Sequence, residues 1–480
     1  MQIGLSSIAK KGSVQLISSI LMAILQLLQI GVISRSFAAA PLGIVSINLM
    51  IVAIATVFSD FGLQSFVIQD RRDMKLTVLD VRAVLPMFIS ATVMISLIGA
   101  CLARFCFGAF DVGNALLWIV PAMPLTVISG PVQGVAVREL RIERLAIAEF
   151  AGKACGVATT VFMAFVEHAV ISVIAGFYVS QLVRLLFLHE TVLALLIAPR
   201  SQKCSIGRRG VVVSYAVAQM LGQVSNTLAA KADELIVAAA MPLETFGIYS
   251  SMKQLVIQAV AFVAPVVRRL TMPFFADHRG RVAEKFRPAP NKLICWSNAV
   301  YIGFFVSLAL ISEASTKFIF GARFASHADW LILFAVLWSV RTFAGGAISA
   351  FLQSTGAPIA DFWWTLVQLI VQTAVMLIAA PSGVYVMLIS AIVSYLIVAI
   401  VGYLTVYRWK SRAAVYEVVT IIIIPAFSYY IIGLSLLWLE SVLERYWVDA
   451  LCTFIFVCAV IAVTITALGD RRILFNRSAV

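Results

Sequence analysis

Apolar residues are grouped into long runs along the whole chain, and polar residues gather in the short connections between the runs. Each run is long enough to cross a hydrocarbon core of about 30 Å as an α-helix, at about 1.5 Å per residue. The pattern therefore predicts fourteen transmembrane helices. They fall at about 13–35, 43–67, 79–103, 113–135, 145–166, 169–197, 211–239, 245–267, 293–313, 329–351, 361–380, 383–406, 415–438 and 448–468.

Lys and Arg alternate between the two ends of these runs. If the N-terminus lies inside, the inner segments hold 25 Lys and Arg residues and the outer segments hold five. Basic residues favour the cytoplasmic side of membrane proteins. The distribution predicts that both termini are cytoplasmic. The longest polar connection, 268–292, is also on the inner side, so no soluble domain is expected on either face.

Composition supports the same class. The chain has 480 residues, of which 62% are hydrophobic and 12% charged, and its mean hydropathy is +1.01. Soluble domains are about half apolar and a quarter charged. We therefore predict an all-α polytopic membrane protein. The net charge of +13 is explained by cytoplasmic-face Lys and Arg near anionic lipid, so membrane lipids are expected partners and nucleic acid is not.

Motifs for enzymatic chemistry are missing from the sequence. It contains no GxxxxGK[ST] loop, no HExxH and no GxSxG, its seven cysteines form no CxxC pair, and its four histidines are scattered. We predict no catalytic residues, metal or cofactor, and no nucleotide-driven step within this chain.

Two similar stretches lie at helical turns, "FAAAPLGIVS" at 37–46 and "AAAMPLETFGIYS" at 238–250. Aligning Gly43 with Gly247 gives an offset of 204 residues, which is about six helices. Transporters are often duplicated bundles that rock around a central site. The match indicates a duplication in which Gly43 and Gly247 serve the turns, although a chance match of small residues gives the same pattern.

Several short motifs resemble, in order and spacing, those of the polysaccharide transporters of the MOP superfamily, the Wzx-type flippases. The matching positions are Arg35, Pro41 and Gly43, then Asp60, Gly62, Gln69 and Arg71, then Asp233, Gly247 and Tyr249, and finally Gly356. The resemblance covers roughly residues 10–406. The first turn departs from the pattern because it lacks an acidic residue equivalent to Glu244.

This resemblance implies two six-helix lobes that face each other across a cavity. The N-lobe would be residues 1–200, the C-lobe 201–410, and two further helices would occupy 411–480. It also implies the substrate, an oligosaccharide carried on a polyprenyl diphosphate lipid.

Ionisable residues inside the predicted helices are the main candidates for function, because each costs at least about 2.5–3.5 kcal/mol near the bilayer centre. They are Lys153, Arg184, Lys231, Asp233, Glu234, Lys253 and Arg341. Counting from the turn near Met241 predicts that Lys231 and Lys253 lie in nearly one layer. Lys153 is expected to extend toward the inner headgroups.

Amide side chains add two polar stripes. Gln219, Gln223 and Asn226 share roughly one face of the seventh helix with Glu234, and Gln254 and Gln258 are four residues apart on the eighth. Amides suit sugar hydroxyls, and the Lys residues, with Arg184, suit a diphosphate or an acidic sugar. Asp233 or Glu234 would couple transport to an ion or proton gradient.

Three explanations of these charges remain open at this point. Lys231 is three residues from Glu234 and could form an ion pair with it that only locks two helices, while Lys253 could pair with Asp233. The same residues could instead bind substrate or a proton. They could also extend their side chains to the lipid interface.

The function predicted from the sequence is a bacterial inner-membrane flippase. It would move lipid-linked oligosaccharide repeat units by alternating access for exopolysaccharide or O-antigen export, beside a polymerase and a chain-length regulator of the same pathway. The alternatives are a small-molecule antiporter of the related multidrug type and, less favoured, a membrane polysaccharide polymerase or ligase.

Overall fold

The structure is a computed structural model that describes most of the chain. The described residues are 5–59, 61–70, 72–106, 110–139, 141–166, 169–197, 206–277, 301, 303–354 and 358–408. Within these ranges the chain forms helices joined by short turns and contains no strand. The predicted all-helical fold class is confirmed.

The chain divides into two compact units, Met1–Ser251 and Met252–Val480, and the boundary falls inside one long helix. Helices of the first unit are α1 Leu5–Ser36, α2 Ala39–Ser59, α3 Leu63–Gln69, α4 Met74–Cys101, α5 Phe110–Ile119, α6 Met123–Arg138, α7 Ile142–Phe165, α8 Ala169–Phe187, α9 His189–Ile197, α10 Ile206–Ala240 and the start of α11 Leu243–Asp277.

The second unit holds the remainder of α11 and five further described helices. These are α12 Gly303–Leu310, α13 Ser312–Phe320, α14 Ala328–Ser354, α15 Pro358–Ala379 and α16 Val384–Arg408. A 3₁₀ turn at Ala380–Ser382 and Gly383, with φ of 99°, separate α15 from α16. The predicted division between runs 361–380 and 383–406 is therefore confirmed.

Several described helices are long and apolar enough to cross a membrane. They are Met74–Phe105, Gly113–Arg138, Ile142–Phe165, Phe362–Ser382 and Val384–Gly402. A sixth is obtained if α12 and α13, which meet at an angle of 66°, form one broken span. The chain is a multi-pass membrane protein. The predicted runs at 415–438 and 448–468 lie outside the described residues, so the total of fourteen stays a prediction, as do the predicted lobe boundaries.

Several predicted segments differ from the helices observed. Run 43–67 is divided into α2, which ends at Ser59, and α3, which begins directly after Gly62, whose φ is 65°. Run 169–197 consists of two helices, α8 and α9. Helix α11 continues to Asp277, so the first part of the expected polar connection 268–292 is helical.

Two apolar clusters form the described core of the first unit. One contains residues such as Phe61, Phe88 and Val132, and the other contains Ala55 and Met123. Large apolar side chains also point outward on the long helices of both units, for example Met94 in the first and Ile378 in the second. Outward apolar surface is what a bilayer requires of a spanning helix bundle.

Close helix packing in the first unit depends on glycine. Gly152 and Gly156 on α7 form a GxxxG pair against α8, and a Cβ at either position would lie 2.7 Å from a backbone oxygen of α8. Small residues at such spacing allow two membrane helices to approach closely. This contact fixes the position of α8 and therefore of the polar residues near its C-terminal end.

Candidate functional site

A polar cavity of about 260 Å³ lies within the first unit, among helices α2, α3, α6, α8 and α10. The described lining is mostly hydroxyl and amide side chains, with one charged residue and no carboxylate among them. The lining residues are Thr56, Val57, Ser59, Gln64, Thr126, Ser129, Gly130, Gln133, Gln181, Arg184 and Gln223.

The cavity occupies a polar stretch between the two apolar clusters. On α2 the lining begins after Ala55, which belongs to one cluster, and ends before Phe61, which belongs to the other. On α6 the lining residues Thr126, Ser129 and Gln133 follow the i, i+3, i+7 spacing of one helical face. Helix periodicity therefore directs these side chains to one side of α6.

The hydroxyl groups of the lining are oriented by their own helices. Thr56 donates to the Ala53 carbonyl at 2.8 Å, Ser59 to the Thr56 carbonyl at 2.8 Å, and Thr126 to the Met123 carbonyl at 2.7 Å. These bonds satisfy the hydroxyl donors inside the membrane. The hydroxyl oxygens then have lone pairs left to accept hydrogen bonds from a ligand.

Arg184 is the charged residue of the cavity. Its Nε is buried and has no hydrogen-bond partner within the described ranges, and the same holds for Oε1 of Gln181, one turn earlier on α8. Lys153 on α7 is close enough to repel Arg184 electrostatically. Glu149, one turn before Lys153, attracts Arg184. Two cations and one carboxylate give this group a net positive charge.

The second cluster of charged residues lies on α10 and the start of α11. Lys231 Nζ donates to both oxygens of Glu234, at 2.7 and 2.8 Å, and the two side chains are 15% and 2% exposed. Tyr249 donates its hydroxyl to Asp233 at 2.8 Å. The predicted Lys231–Glu234 contact is confirmed as a buried ion pair.

A third polar cluster joins the turn between α3 and α4 to the end of α6. Arg72 bridges Asp70 and Asp80, each at 2.6 Å, and Thr77 donates to Asp70 at 2.9 Å. These bonds, led by that from Arg72, lower the pKa of Asp70 to about 2. Arg138 adds hydrogen bonds to the Val67 and Arg72 carbonyls, so the cluster clamps three helix ends together.

The structure brings only two of the residues predicted for the site, Arg184 and Gln223, into the cavity. Gln219 instead donates to the Tyr215 hydroxyl at 3.3 Å and packs against Gly62. The side chain of Asn226 lies outside the described part of the structure.

The predicted residues of the eighth helix lie on α11, just beyond the boundary between the units. Lys253 is 1% exposed, and Gln254 and Gln258 are half-buried. Because these residues belong to the second unit, their predicted layer with Lys231 stays a prediction.

The two repeat glycines lie inside helices, not in the turns between them. Gly43 is in the first turns of α2, where a Cβ would collide with the carbonyl oxygen and side chain of Leu243. Gly247 is in the first turns of α11, and its carbonyl accepts a bond of 2.8 Å from Ser251. Glycine at 43 is thus required by close packing and not by chain reversal.

Most of the cavity lining was not predicted from the sequence. The missed residues are Thr56, Ser59, Gln64, Thr126, Ser129, Gln133 and Gln181. A search for hydroxyl and amide residues at helical spacing, such as Gln181 three residues before Arg184, would have found part of this set. No group of three His, Cys, Asp or Glu within the described ranges could hold a metal ion.

Comparison with known proteins identifies the family. The sequence profile of the family described as "Polysaccharide biosynthesis protein" matches residues 32–329, more than half of the chain. The chain is also 26% identical over 167 residues to the amylovoran biosynthesis protein AmsL of Erwinia amylovora. That alignment spans 34% of this chain and 42% of the relative, which is less than half of either.

Solved structures with a similar fold are membrane transporters. The lipid II flippase MurJ, in an inward closed conformation, superposes with a TM-score of 0.71 at 12% identity, over 95% of this chain and 98% of MurJ. An inward-facing multidrug resistance transporter of the MATE family gives a TM-score of 0.63 at 15% identity, over 81% and 96%.

A MOP superfamily transporter from Pyrococcus furiosus gives 0.54 at 16% identity, over 84% and 96%. At such low identities these superpositions show the fold. Together with the family match, they show that this chain belongs to the polysaccharide biosynthesis protein family and has the fold of the MOP superfamily transporters.

Proposed function

We propose that this protein is a flippase that moves polyprenyl-diphosphate-linked oligosaccharide units across the bacterial inner membrane for exopolysaccharide or O-antigen export. The observation that carries the proposal is a cavity whose described lining is mostly hydroxyl and amide groups, inside a membrane unit of a chain that belongs to the polysaccharide biosynthesis family. Hydroxyl and amide groups are suited to bind sugars. Polar groups inside a membrane bundle are costly, so they indicate a function.

Transport would follow alternating access, in which the bundle opens to one side of the membrane at a time. The duplicated arrangement suggested by the Gly43 and Gly247 stretches supports this mode. In the proposed orientation both termini are cytoplasmic, and a polymerase and chain-length regulator would use the exported units. No step of this cycle forms or breaks a covalent bond, so the protein is proposed not to be an enzyme.

The cationic side chains would hold the anionic part of the substrate. Lys231, Lys253 and Arg184 are the proposed contacts for the diphosphate or an acidic sugar, with the amides of Gln219, Gln223, Asn226, Gln254 and Gln258 as sugar contacts. Lys231 is bound to Glu234 through both carboxylate oxygens. A diphosphate that takes Lys231 would therefore release Glu234.

Energy would come from an ion or proton gradient, with Glu234 or Asp233 as the coupling carboxylate. Both are buried, 2% and 5% exposed, and each is held by a hydrogen-bond donor, Lys231 or Tyr249. A substrate that takes Lys231 would change the electrostatic environment of Glu234, which links substrate binding to the proposed coupling carboxylate. If the Asp233→Asn and Glu234→Gln variants both transport normally across an imposed pH gradient, neither residue couples transport to the gradient.

The cellular test is a deletion of the gene. Lipid-linked repeat units should accumulate on the cytoplasmic face and surface polysaccharide should fall, and the wild-type chain should reverse both effects. Export that continues unchanged would contradict the proposal. The multidrug antiporter alternative instead predicts normal polysaccharide and increased drug sensitivity.

A further inference from the structure

The polar groups of the cavity in the first unit differ in what they can offer a ligand. The hydroxyls of Thr56, Ser59 and Thr126 donate to their own helices and are left as acceptors. The side-chain amide of Gln133 donates to the Ser129 hydroxyl oxygen at 2.8 Å, so one of its N–H groups is bonded within the protein. These hydroxyls therefore favour a ligand that supplies hydrogen-bond donors, as a ring of hydroxyl groups does, while the amide groups of the lining can also donate to it.

Two polar atoms of α8 have no hydrogen-bond partner among the described residues. They are Oε1 of Gln181 and Nε of Arg184, and both are buried. Buried polar atoms are nearly always paired, so such atoms in a cavity mark a place where a ligand or solvent completes the bonding. The two residues are three apart on α8 and are neighbours on one helical face. One atom needs a donor and the other needs an acceptor.

The positive charge at this end of the cavity determines which acceptor the ligand must carry. Among the described lining residues Arg184 is the one that is charged, and Lys153 adds positive charge beside it, against the nearby carboxylate of Glu149. A guanidinium group binds carboxylate and phosphate oxygens in a planar, often two-pronged geometry. The described lining therefore favours an anionic group on the ligand.

The volume of the cavity suits a small group. About 260 Å³ is somewhat below the range of about 300–1,000 Å³ that holds drug-sized ligands. One sugar ring with one substituent is of this size, whereas a whole repeat unit with its lipid is much larger.

We propose that this cavity binds one sugar ring of the substrate that carries a single oxyanion, with the oxyanion on Arg184 and a neighbouring hydroxyl donated to Gln181. This inference rests on the proposed function and narrows it: the exported glycan contains an acidic or phosphorylated sugar. Arg184 is then a determinant of specificity that distinguishes charged from neutral repeat units.

Binding to the purified full-length chain in detergent tests the site directly. The probes are methyl glucuronide, glucose 1-phosphate, methyl glucoside as the neutral control, and inorganic pyrophosphate as an anion without a sugar. Affinity is measured from the shift in thermal unfolding with probe concentration. At least one of the two anionic sugars should bind about tenfold or more tightly than methyl glucoside, and which of them does so distinguishes a carboxylate from a phosphate.

Variants separate the roles of the two residues. Arg184→Gln should reduce the anionic sugar to the affinity of methyl glucoside, and Arg184→Lys should retain part of the preference. Gln181→Met, of similar volume, should weaken charged and neutral sugars alike. Arg209→Gln is the matched control, because Arg209 is an exposed arginine outside the lining, and it should change nothing.

Three results would overturn the proposal: no sugar probe binds, methyl glucoside binds as tightly as the anionic sugars, or Arg184→Gln keeps the preference. Pyrophosphate that binds more tightly than both sugars, and depends on Arg184, would also overturn it and assign the site to the lipid carrier. Rescue of the deletion strain keeps this inference distinct from the proposed function. If the wild-type chain fails to clear accumulated lipid-linked units, the proposed function is wrong. If the wild-type chain and Arg184→Gln clear them equally, only the sugar site is wrong.

Discussion

At the scale of single residues, three of the described carboxylates are held by specific partners. Glu234 is bound by Lys231, Asp233 by Tyr249, and Asp70 by Arg72 and Thr77. Desolvation makes an unpaired buried charge far more costly than a paired one. Removal of one member of such a pair should therefore destabilise the fold.

The Lys231–Glu234 pair gives the first prediction. Lys231→Met alone should destabilise the protein by about 3–5 kcal/mol, because Glu234 is then buried without this partner. The double variant Lys231→Met/Glu234→Gln should recover most of that loss, as measured by thermal unfolding in detergent. If the pair only locks helices, the double variant will also transport normally. If it contacts substrate or proton, stability will return and transport will not.

Asp70 gives a prediction about pH. Its folded-state pKa is about 2, below the ordinary value of 3.8, because Arg72 and Thr77 bond the charged form. The stabilisation from this group is therefore complete above about pH 4 and is lost as the pH falls toward 2. The unfolding temperature of the wild type should fall more steeply over that interval than that of Asp70→Asn. Parallel curves for the two proteins would show that Asp70 makes no such contribution.

Residue-level chemistry was only partly predictable from the sequence. Arg184 and the Lys231–Glu234 pair were found because charge inside an apolar run is rare and costly. Thr56, Ser59 and Thr126 were missed because a hydroxyl that bonds its own helix costs little in a membrane. Such residues are common in membrane helices. Their positions in the sequence do not indicate that the cavity lining is brought together from five helices.

At the scale of helices, glycine decides where two backbones can meet. A Cβ on Gly43 would collide with the Leu243 backbone, and one on Gly156 would lie 2.7 Å from the Gly176 carbonyl oxygen. Contacts this short cannot be relieved by side-chain rotation, since the obstructing atom belongs to a helix backbone.

The prediction for these contacts uses a matched pair of substitutions. Gly156→Ala should destabilise the protein by about 1–3 kcal/mol through overpacking of α7 against α8. Gly210→Ala, at an exposed helical position with nothing within 4 Å, should be neutral or stabilising by up to about 1 kcal/mol. Thermal unfolding of both variants measures the difference. Equal effects at the two positions would mean that α7 and α8 are not closely packed.

Hydropathy predicted the described helices well but not their interruptions. The long runs correspond to helices because crossing a bilayer requires both apolar side chains and satisfied backbone groups. The break at Gly62 was not predicted, because a glycine inside an apolar run adopts either helical or left-handed backbone. The continuation of α11 to Asp277 was missed because a charged segment looks like a connection whether or not it is helical.

At the scale of the whole molecule, the chain has the MOP fold, and its first unit contains a polar cavity that we propose binds an acidic sugar. Family membership supports the proposed pathway, and the fold supports the proposed passage of a large polar group across a bilayer. The account accordingly predicts selectivity: transport of lipid-linked oligosaccharides with an anionic sugar should exceed that of neutral ones. Measured with the two substrates side by side, equal rates would contradict that selectivity.

The central claim is translocation itself, and reconstitution tests it most directly. Purified full-length chain is placed in liposomes that contain a polyprenyl-diphosphate-linked oligosaccharide with a fluorescent sugar label, and dithionite is added outside. In protein-free liposomes about half of the label should be reduced, because only the outer leaflet is accessible. The account predicts nearly complete reduction in the presence of the protein, with labelled phospholipid remaining about half protected. Half reduction of the oligosaccharide label with the protein present, or equal loss of the phospholipid label, would contradict it.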